Sequence, residues 1–203
     1  MFLLDLIKLN CMKKLNGSKK IKTAVFISGT GSNLKNIIKF SKIKKSPISV
    51  DLIVSNTNKA KGLSFADQFN VKKKIFDSKN FKNIEKNILL LLKKEKIKFI
   101  CLAGFMKILS KHFIKKFDGK IINIHPSLLP RYKGLNTHNR AINNKDKFAG
   151  CTVHYVTAKL DSGRIILQQK IKITASDNSA SLAKKVLKQE HKLYLAAIIK
   201  IFS

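Results

Sequence analysis

The chain has 203 residues, of which 44% are hydrophobic, so it can bury a full core and is not a disordered protein. Its formal net charge of +31 comes from 42 basic residues against 11 acidic ones, which raises the question of nucleic-acid binding. Lys is spread over the whole length, and Arg, which reads bases and phosphates best, occurs at three positions: 131, 140 and 164. We therefore interpret the charge as a general compositional bias and expect no specific nucleic-acid partner.

The N-terminal segment and the cysteines indicate a cytoplasmic protein. Residues 1–15 are apolar but shorter than the roughly 20 residues of a membrane-spanning helix, and they lack the basic start and cleavage site of a signal peptide. Cys11, Cys101 and Cys151 form no C-x-x-C pair, a pattern typical of reduced thiols rather than of disulfides or zinc. We expect a disposable extension at 1–20, one domain at 21–203 and no membrane association.

Short apolar runs alternate with amphipathic segments along the rest of the chain. The first run, 21–28, predicts a buried strand, and the segment from residue 34 predicts a helix. Further strands or β-rich segments are predicted at 48–55, 71–76, 98–104, 120–125, 149–156 and 165–173. Further helices are predicted at 62–69, 80–95, 110–117 and 178–202. This alternation predicts an α/β fold, a single Rossmann-like, doubly wound domain whose mostly parallel central sheet has helices on both faces.

Ligands of doubly wound sheets bind beyond the carboxyl ends of the strands, so residues that follow a strand are candidates for the site. The first such stretch, SGTGSN (28–33), supplies two glycines for a tight turn, then Ser32 and Asn33 at a helix start. Backbone N–H groups there suit a phosphate, although the loop is neither a dinucleotide-binding nor a Walker motif. The same residues would also serve as ordinary helix caps without a ligand, and the sequence leaves both interpretations open.

The strand KIINIH (120–125) ends in two polar side chains on one face. Because side chains alternate along a strand, Asn123 and His125 point the same way, and Pro126 keeps His125 extended at the rim of the sheet. Histidine changes its charge near neutral pH, and a neighbouring amide can donate to a developing oxyanion. We favour a catalytic role for this pair over a structural one.

Other polar residues carry weaker signals. Asp161 in KLDSGRII either forms an Asx-turn or lies near His125, where it would orient the ring and favour its charged form. The remaining histidines show no ligand spacing, so we expect no metal; His138, at a helix start, is expected to line the pocket. On its own, Glu190 on the last helix would be a solvated surface carboxylate.

Five stretches, in this order, resemble the phosphoribosylglycinamide formyltransferases, a folate-dependent family: AVFISGTGSNLKNII, CLAGFMKILS, NIHPSLLPRYKGLNTHNRAI, GCTVHYVTAKLDSGRIILQ and KQEHKLY. The likeness runs from about residue 22 to the C-terminus. NIHPSLLP with a later LDSG is specific for folate formyl transfer, and GTGSN with GLNTHNRAI narrows the resemblance to this family. It implies transfer of a formyl group from 10-formyltetrahydrofolate, a co-substrate, to the amine of glycinamide ribonucleotide in purine biosynthesis.

The resemblance also implies roles for individual positions. The catalytic residues of the family correspond to Asn123, His125 and Asp161. Its substrate-binding positions are a phosphate loop and a segment of the last helix, which correspond to Gly31, Ser32, Asn33, Leu187, Lys188, Gln189 and Glu190. Its folate-binding positions correspond to Met106, Lys107, Ile108, Leu109, Asn123, Thr157, Ala158, Lys159, Leu160 and Asp161. By this correspondence Glu190 meets the glycinamide end of the substrate rather than solvent.

The sequence departs from the pattern of the family at four positions. Lys107 stands where Arg is usual, Lys133 where Pro is common, Asn136 where His is frequent, and Arg164 where Pro often follows LDSG. These changes concern folate affinity and leave the three catalytic positions intact. A further basic folate contact falls at Lys79 or Lys82, between which the sequence does not decide.

Three alternatives remain open at this point. Two of them are other folate enzymes. One is a formyltetrahydrofolate deformylase, which usually carries an additional N-terminal domain, and the other is a methionyl-tRNA formyltransferase, which usually carries an additional C-terminal domain. A basic nucleic-acid-binding module with a Rossmann-like core would use the charge of +31 but gives no reason for Asn123, His125 and Asp161 to occur together. We expect small-molecule substrates and either a monomer or a homodimer.

Overall fold

A computed structural model describes residues 20–76 and 81–203. Seven strands form one sheet in the order β3-β2-β1-β4-β5-β6-β7. The strands are β1 Ile21–Ile27, β2 Ile48–Ser55, β3 Lys72–Ile75, β4 Phe99–Leu102, β5 Lys120–His125, β6 Phe148–Tyr155 and β7 Ile165–Lys172. β1 to β5 pair in parallel, whereas β6 and β7 join as antiparallel strands.

Six α-helices accompany these strands in the described ranges. They are α1 Ser32–Ser41, α2 Ser64–Phe69, α3 Phe81–Lys94, α4 Lys111–Lys116, α5 Thr137–Asn143 and α6 Ser179–Phe202, with a 3₁₀ turn at Lys61–Leu63 before α2. The strand order reverses between β1 and β4, which is where doubly wound sheets bind ligands beyond their carboxyl ends. The predicted fold class is confirmed.

Alternation along the central strand β1 divides the core into two layers. Val25 and Ile27 face a buried cluster that includes residues of α1, α5 and α6. Ala24 and Phe26 face the opposite cluster, which includes residues of α3 and α4. Because every residue from Ala24 to Ile27 is fully buried, the strand appears in the sequence as a continuous apolar run rather than an alternating one.

The predicted strand at 98–104 is shorter in the structure, where β4 ends at Leu102. Ala103 and Gly104 continue past the end of β1: the N–H of Ala103 donates to the carbonyl of Phe26 at 2.9 Å, and the N–H of Ser28 donates to the carbonyl of Gly104 at 3.1 Å. Gly104 has a φ of 74°, a left-handed conformation that glycine adopts without steric cost. This turn directs the following residues over the end of the sheet.

The predicted extension at 1–20 lies almost entirely outside the described residues, so it stays a prediction. Cys11 also lies outside the described residues. The two cysteines in the described ranges, Cys101 and Cys151, are buried and free. Among the helices that the structure describes, none combines the length and apolar character needed to cross a membrane. The expected cytoplasmic location stays a prediction.

Tyr194 connects the longest helix to the sheet and offers a test of the fold. It is fully buried on α6, and its hydroxyl donates to the carbonyl of Leu102 at 2.8 Å, at the end of β4. We expect Tyr194→Phe to lower the free energy of unfolding by about 1–2 kcal/mol, because a buried carbonyl loses its partner. Urea denaturation should show a lower midpoint with an unchanged slope, whereas Tyr155→Phe, in a partly buried ring, is the control. An unchanged midpoint for Tyr194→Phe would contradict this assignment.

Candidate active site

A cleft of about 1010 Å³ lies beyond the carboxyl ends of β1, β4 and β5. Four segments that the sequence analysis singled out contribute to its lining. They supply Gly29, Thr30, Gly31, Ser32 and Asn33; Ala103 to Leu109; Asn123 to Pro126; and Lys159, Leu160 and Asp161. Most of the predicted site residues are thus brought together from segments far apart in the sequence.

The first loop of the cleft ends in a helix start without a side-chain cap. Gly31 is the N-cap of α1, with a φ of 75°, and makes no side-chain cap hydrogen bond; Ser32 is already the first helical residue. The interpretation of Ser32 and Asn33 as ordinary caps is therefore wrong. The N-terminal N–H groups of this ten-residue helix face the cleft without a side-chain competitor, which suits an anion.

Gly31 needs to be glycine for a second reason, its contact with Gly62. A Cβ built on Gly31 would lie 2.7 Å from the Cα of Gly62, and one built on Gly62 would lie 2.9 Å from the Cα of Gly31. The N–H of Gly62 also donates to the carbonyl of Gly29 at 3.0 Å. The 3₁₀ turn before α2 therefore supports the first loop through backbone contact.

The predicted catalytic residues meet at the base of the cleft. His125 Nδ1 lies 3.4 Å from Asp161 Oδ2, and both side chains are 7% exposed. Asp161 adopts a left-handed φ of 44°, and its Oδ2 accepts a hydrogen bond from the N–H of Gly134 at 2.9 Å. The carboxylate thus points away from its own turn and towards His125, which favours the functional interpretation of Asp161 over the Asx-turn.

The second nitrogen of His125 is held by the loop that follows β5. Nε2 lies 2.8 Å from the carbonyl oxygen of Tyr132. A carbonyl can only accept, so Nε2 carries a proton in this contact. Since Nδ1 faces a carboxylate and Nε2 a carbonyl, the environment can accommodate a proton on each nitrogen of the ring.

His154 is a site residue that the sequence analysis missed. It pairs with Asn123 across β5 and β6, and its Nε2 lies 3.3 Å from Asn123 Nδ2. Its Nδ1 donates to the carbonyl of Tyr155 at 2.9 Å. Burial lowers the pKa of His154, so the ring is neutral near pH 7 and its Nε2 accepts from Asn123. This contact orients the amide of Asn123, with its second N–H available to the cleft.

The signal for His154 was present but incomplete. Alternation in TVHY (152–155) places Thr152 and His154 on one face of a strand, and both are buried. The antiparallel register that sets His154 opposite Asn123 is not encoded in that pattern, because alternation identifies a face but not a partner strand.

Glu190 lies in the cleft and is 8% exposed, so its interpretation as a solvated surface residue is wrong. Its Oε2 accepts a hydrogen bond from Asn33 Nδ2 at 2.8 Å. Burial raises the pKa of Glu190, and the Asn33 contact partly opposes that shift. Of the neighbouring predicted residues, Leu187 lines the cleft, whereas Lys188 is exposed and Gln189 is half-buried, and neither lines the cleft as described.

Exposed apolar side chains line the outer part of the cleft. Met106 is 64% exposed, Ile108 68%, Leu135 72% and Leu160 50%, whereas Leu109 is buried. Such a group suits a flat, largely apolar ligand with a few polar contacts. Lys107, Thr157 and Lys159 also line the cleft, and Ala158 does not belong to its described lining.

The remaining predictions have mixed outcomes. His138 lines the cleft, as expected, and its pKa is lowered by burial and by the nearby charge of His125. Lys79 and the side chain of Lys82 lie outside the described residues. Across residues 20–76 and 81–203 there is no group of three His, Cys, Asp or Glu side chains that would hold a metal ion.

Comparisons with known proteins identify relatives over most of the chain. The sequence profile of a family described as formyl transferase matches residues 21–198. The phosphoribosylglycinamide formyltransferase of Haemophilus influenzae is 40% identical over 185 residues, which cover 90% of this chain and 87% of that protein. A crystal structure of phosphoribosylglycinamide formyltransferase from Brucella melitensis matches with a TM-score of 0.86 and 39% identity, over 91% of this chain and 97% of that chain.

Longer relatives contain a similar segment. The human trifunctional purine biosynthetic protein adenosine-3 is 40% identical over 183 residues, which cover 89% of this chain. The chain spans 18% of the length of that protein.

Glu190→Gln is expected to stabilise the protein at alkaline pH. Since burial raises the pKa of Glu190 above its usual value of 4.5, the charged form is unfavourable, and its cost develops as the pH rises through the raised pKa. The amide has no such cost, so the variant should melt at a higher temperature than the wild type near pH 8, with little difference near pH 4. Thermal melts at both pH values measure the effect.

Glu95→Gln is the matched control for this experiment. Glu95 pairs with Lys72 on the surface, a contact that lowers the pKa of Glu95, so its charged form is favoured and the substitution should not stabilise the protein near pH 8. A melting temperature for Glu190→Gln at or below that of the wild type near pH 8 would contradict the assignment.

Proposed function

The chain belongs to the formyl transferase family, and we propose that it transfers a formyl group from 10-formyltetrahydrofolate to the amine of glycinamide ribonucleotide in purine biosynthesis. The observation that carries the proposal is the meeting of Asn123, His125 and Asp161 at the base of one cleft. That cleft has a helix N-terminus suited to phosphate and an apolar outer part suited to folate. The relatives from Haemophilus influenzae and Brucella melitensis, whose names specify this activity, support the choice of substrate.

Glycinamide ribonucleotide is assigned to the side of the cleft formed by α1 and α6. The phosphate binds the backbone at Gly31, Ser32 and Asn33, where the N-terminus of α1 offers N–H donors. Glu190 binds the glycinamide end, supported by its burial in the cleft and its bond to Asn33. Leu187 contributes apolar lining, and Lys188 and Gln189 are assigned by family resemblance.

The folate is assigned to the loop after β4 and the turn after β6. The folate loop, Met106–Leu109, offers backbone groups beside exposed apolar side chains. Thr157, Lys159 and Leu160 form the second wall, with Asp161 at its inner end, and Ala158 is assigned by family resemblance. At the base of the cleft, the amide of Asn123 and the carboxylate of Asp161 then contact the formyl-bearing part of the co-substrate.

The side chains at the base of the cleft have different roles in the reaction. The amine of the substrate attacks the formyl carbon, a C–N bond forms, and the formyl oxygen gains negative charge. Asn123, whose amide His154 orients, donates its free N–H to that oxygen, and the charged ring of His125 stabilises it electrostatically. Asp161 balances the charge of His125 and, through water, passes the proton of the amine to the folate nitrogen as the original C–N bond breaks.

His125→Ala and Asp161→Asn are each expected to lower kcat by ~10²-fold or more while the protein still folds, because each removes transition-state stabilisation. Absorbance of the released tetrahydrofolate measures turnover, and thermal melts confirm folding. His112→Ala, an exposed histidine on α4, is the control and should retain wild-type activity. Formyl transfer by either site variant at close to the wild-type rate would refute the assignment.

The same assay tests two of the alternatives when it is run with and without glycinamide ribonucleotide. Release that requires the ribonucleotide supports the proposal, and release without it indicates a deformylase. No release under either condition, together with salt-sensitive RNA binding, indicates a nucleic-acid-binding module.

Gly62→Ala is expected to raise the KM for glycinamide ribonucleotide without a matching change in the KM for folate. The added Cβ would lie 2.9 Å from both the Cα of Gly31 and Cδ1 of Ile27, so the phosphate loop has to shift. A displacement of this kind weakens N–H contacts to the phosphate, for which we expect about a tenfold effect. Equal effects on both KM values would contradict the placement of the phosphate at this loop.

A further inference from the structure

A buried carboxylate behind the folate loop takes no part in the chemistry described above. Glu85 on α3 is 4% exposed. Its Oε1 accepts a hydrogen bond from the N–H of Ser110 at 2.7 Å, and its Oε2 accepts one from the hydroxyl of Ser110. Ser110 directly follows the folate loop, so this carboxylate fastens the C-terminal end of the loop.

The same serine begins the next helix. Ser110 is the N-cap of α4, and its Oγ accepts a hydrogen bond from the N–H of Phe113 at 3.0 Å. With its hydroxyl proton donated to Glu85 and its lone pair used by Phe113, the side chain of Ser110 has one defined orientation. Glu85 thereby joins the loop, the helix α3 and the start of α4.

The other end of the loop is fastened in a similar way. The N–H of Met106 donates to Ser28 Oγ at 2.8 Å, and the hydroxyl of Ser28 donates to Asn56 Oδ1. Both ends of the folate loop are therefore held by side chains from other elements.

The loop needs these anchors because it buries little of its own surface. Met106 and Ile108 are 64% and 68% exposed, and Leu109 is the buried member. Packing alone therefore leaves the backbone of Met106 to Ile108 weakly restrained. A buried polar group is unfavourable unless it is hydrogen-bonded, and both oxygens of Glu85 accept hydrogen bonds from Ser110, the residue that directly follows this loop.

We propose that Glu85 is a positioning residue that holds the folate loop in its binding conformation, and so determines affinity for formyl folate rather than the rate of the chemical step. This inference rests on the proposed function, because it takes Met106–Leu109 as the folate-binding stretch. Glu85 acts through Ser110 and lies outside the cleft lining described for the site.

The test compares Glu85→Gln, Glu85→Ala and Ser110→Ala in the full-length chain. Gln keeps the shape but offers an N–H where Oε2 accepted the serine proton, so one of the two bonds is lost; Ala removes both. We expect the KM for 10-formyltetrahydrofolate to rise about tenfold in Glu85→Ala, and by a smaller factor in Glu85→Gln and in Ser110→Ala, in which the backbone N–H of residue 110 still donates to Glu85. The kcat and the KM for glycinamide ribonucleotide should stay within about twofold of the wild type.

Glu95→Gln, which changes a surface carboxylate just after the same helix, is the matched control and should leave all three constants unchanged. If Glu85→Ala folds poorly, the KM for the folate in Ser110→Ala, a smaller change at the same contact, is the deciding measurement. An unchanged KM for the folate in Ser110→Ala would overturn the proposal, as would equal changes in kcat and both KM values.

Amide hydrogen exchange supplies a measurement that does not depend on activity. In Ser110→Ala the amides of Met106–Leu109 should exchange faster, whereas those of β1 and β5 should not change. Absence of ribonucleotide-dependent turnover in the wild type would refute the proposed function alone. Unchanged exchange in the loop would refute the positioning role, whatever the activity of the wild type.

Discussion

The site depends on β5 having a parallel neighbour on one side and an antiparallel neighbour on the other. Parallel pairing with β4 places the folate loop beyond the same edge of the sheet as His125, because parallel strands end together. Antiparallel pairing with β6 sets His154 opposite Asn123, and the turn after β6 returns Asp161 to His125. Segments far apart in the sequence therefore converge on the end of one strand.

The fold and the shared face of Asn123 and His125 were predictable because they are encoded locally. Apolar runs and amphipathic segments mark the elements, and alternation places Asn123 and His125 on one face. The pairing of Asp161 with His125 needed the family resemblance, since spacing cannot measure distance across a fold. His154 and Glu190 were misjudged from pattern alone because their roles depend on partners, Asn123 and Asn33, that only strand register and helix packing bring near.

Acidic residues are scarce in this chain, and three of them are buried in or beside the cleft. These three residues are Glu85, Asp161 and Glu190. Each faces hydrogen-bond donors: Ser110 for the first, the N–H of Gly134 for the second and Asn33 for the third. A buried carboxylate without hydrogen-bond donors is strongly unfavourable, so these contacts are needed for the three carboxylates to be buried. Burial of these carboxylates is unfavourable without such hydrogen bonds, whereas burial of the apolar core residues is favourable.

The arginines show the same relation between scarce residues and the site. Although Lys and Arg number 42, three are Arg, and each stacks on a tyrosine ring: Arg131 and Arg140 on Tyr132, and Arg164 on Tyr155. A planar guanidinium stacks on aromatic rings and forms bidentate hydrogen bonds, which an ammonium cannot do. Lys is therefore not equivalent to Arg at these positions. The carbonyl of Tyr132 also accepts from Nε2 of His125. Lysines are spread over the whole chain, whereas two of its three arginines stack on Tyr132, whose carbonyl contacts the ring of His125.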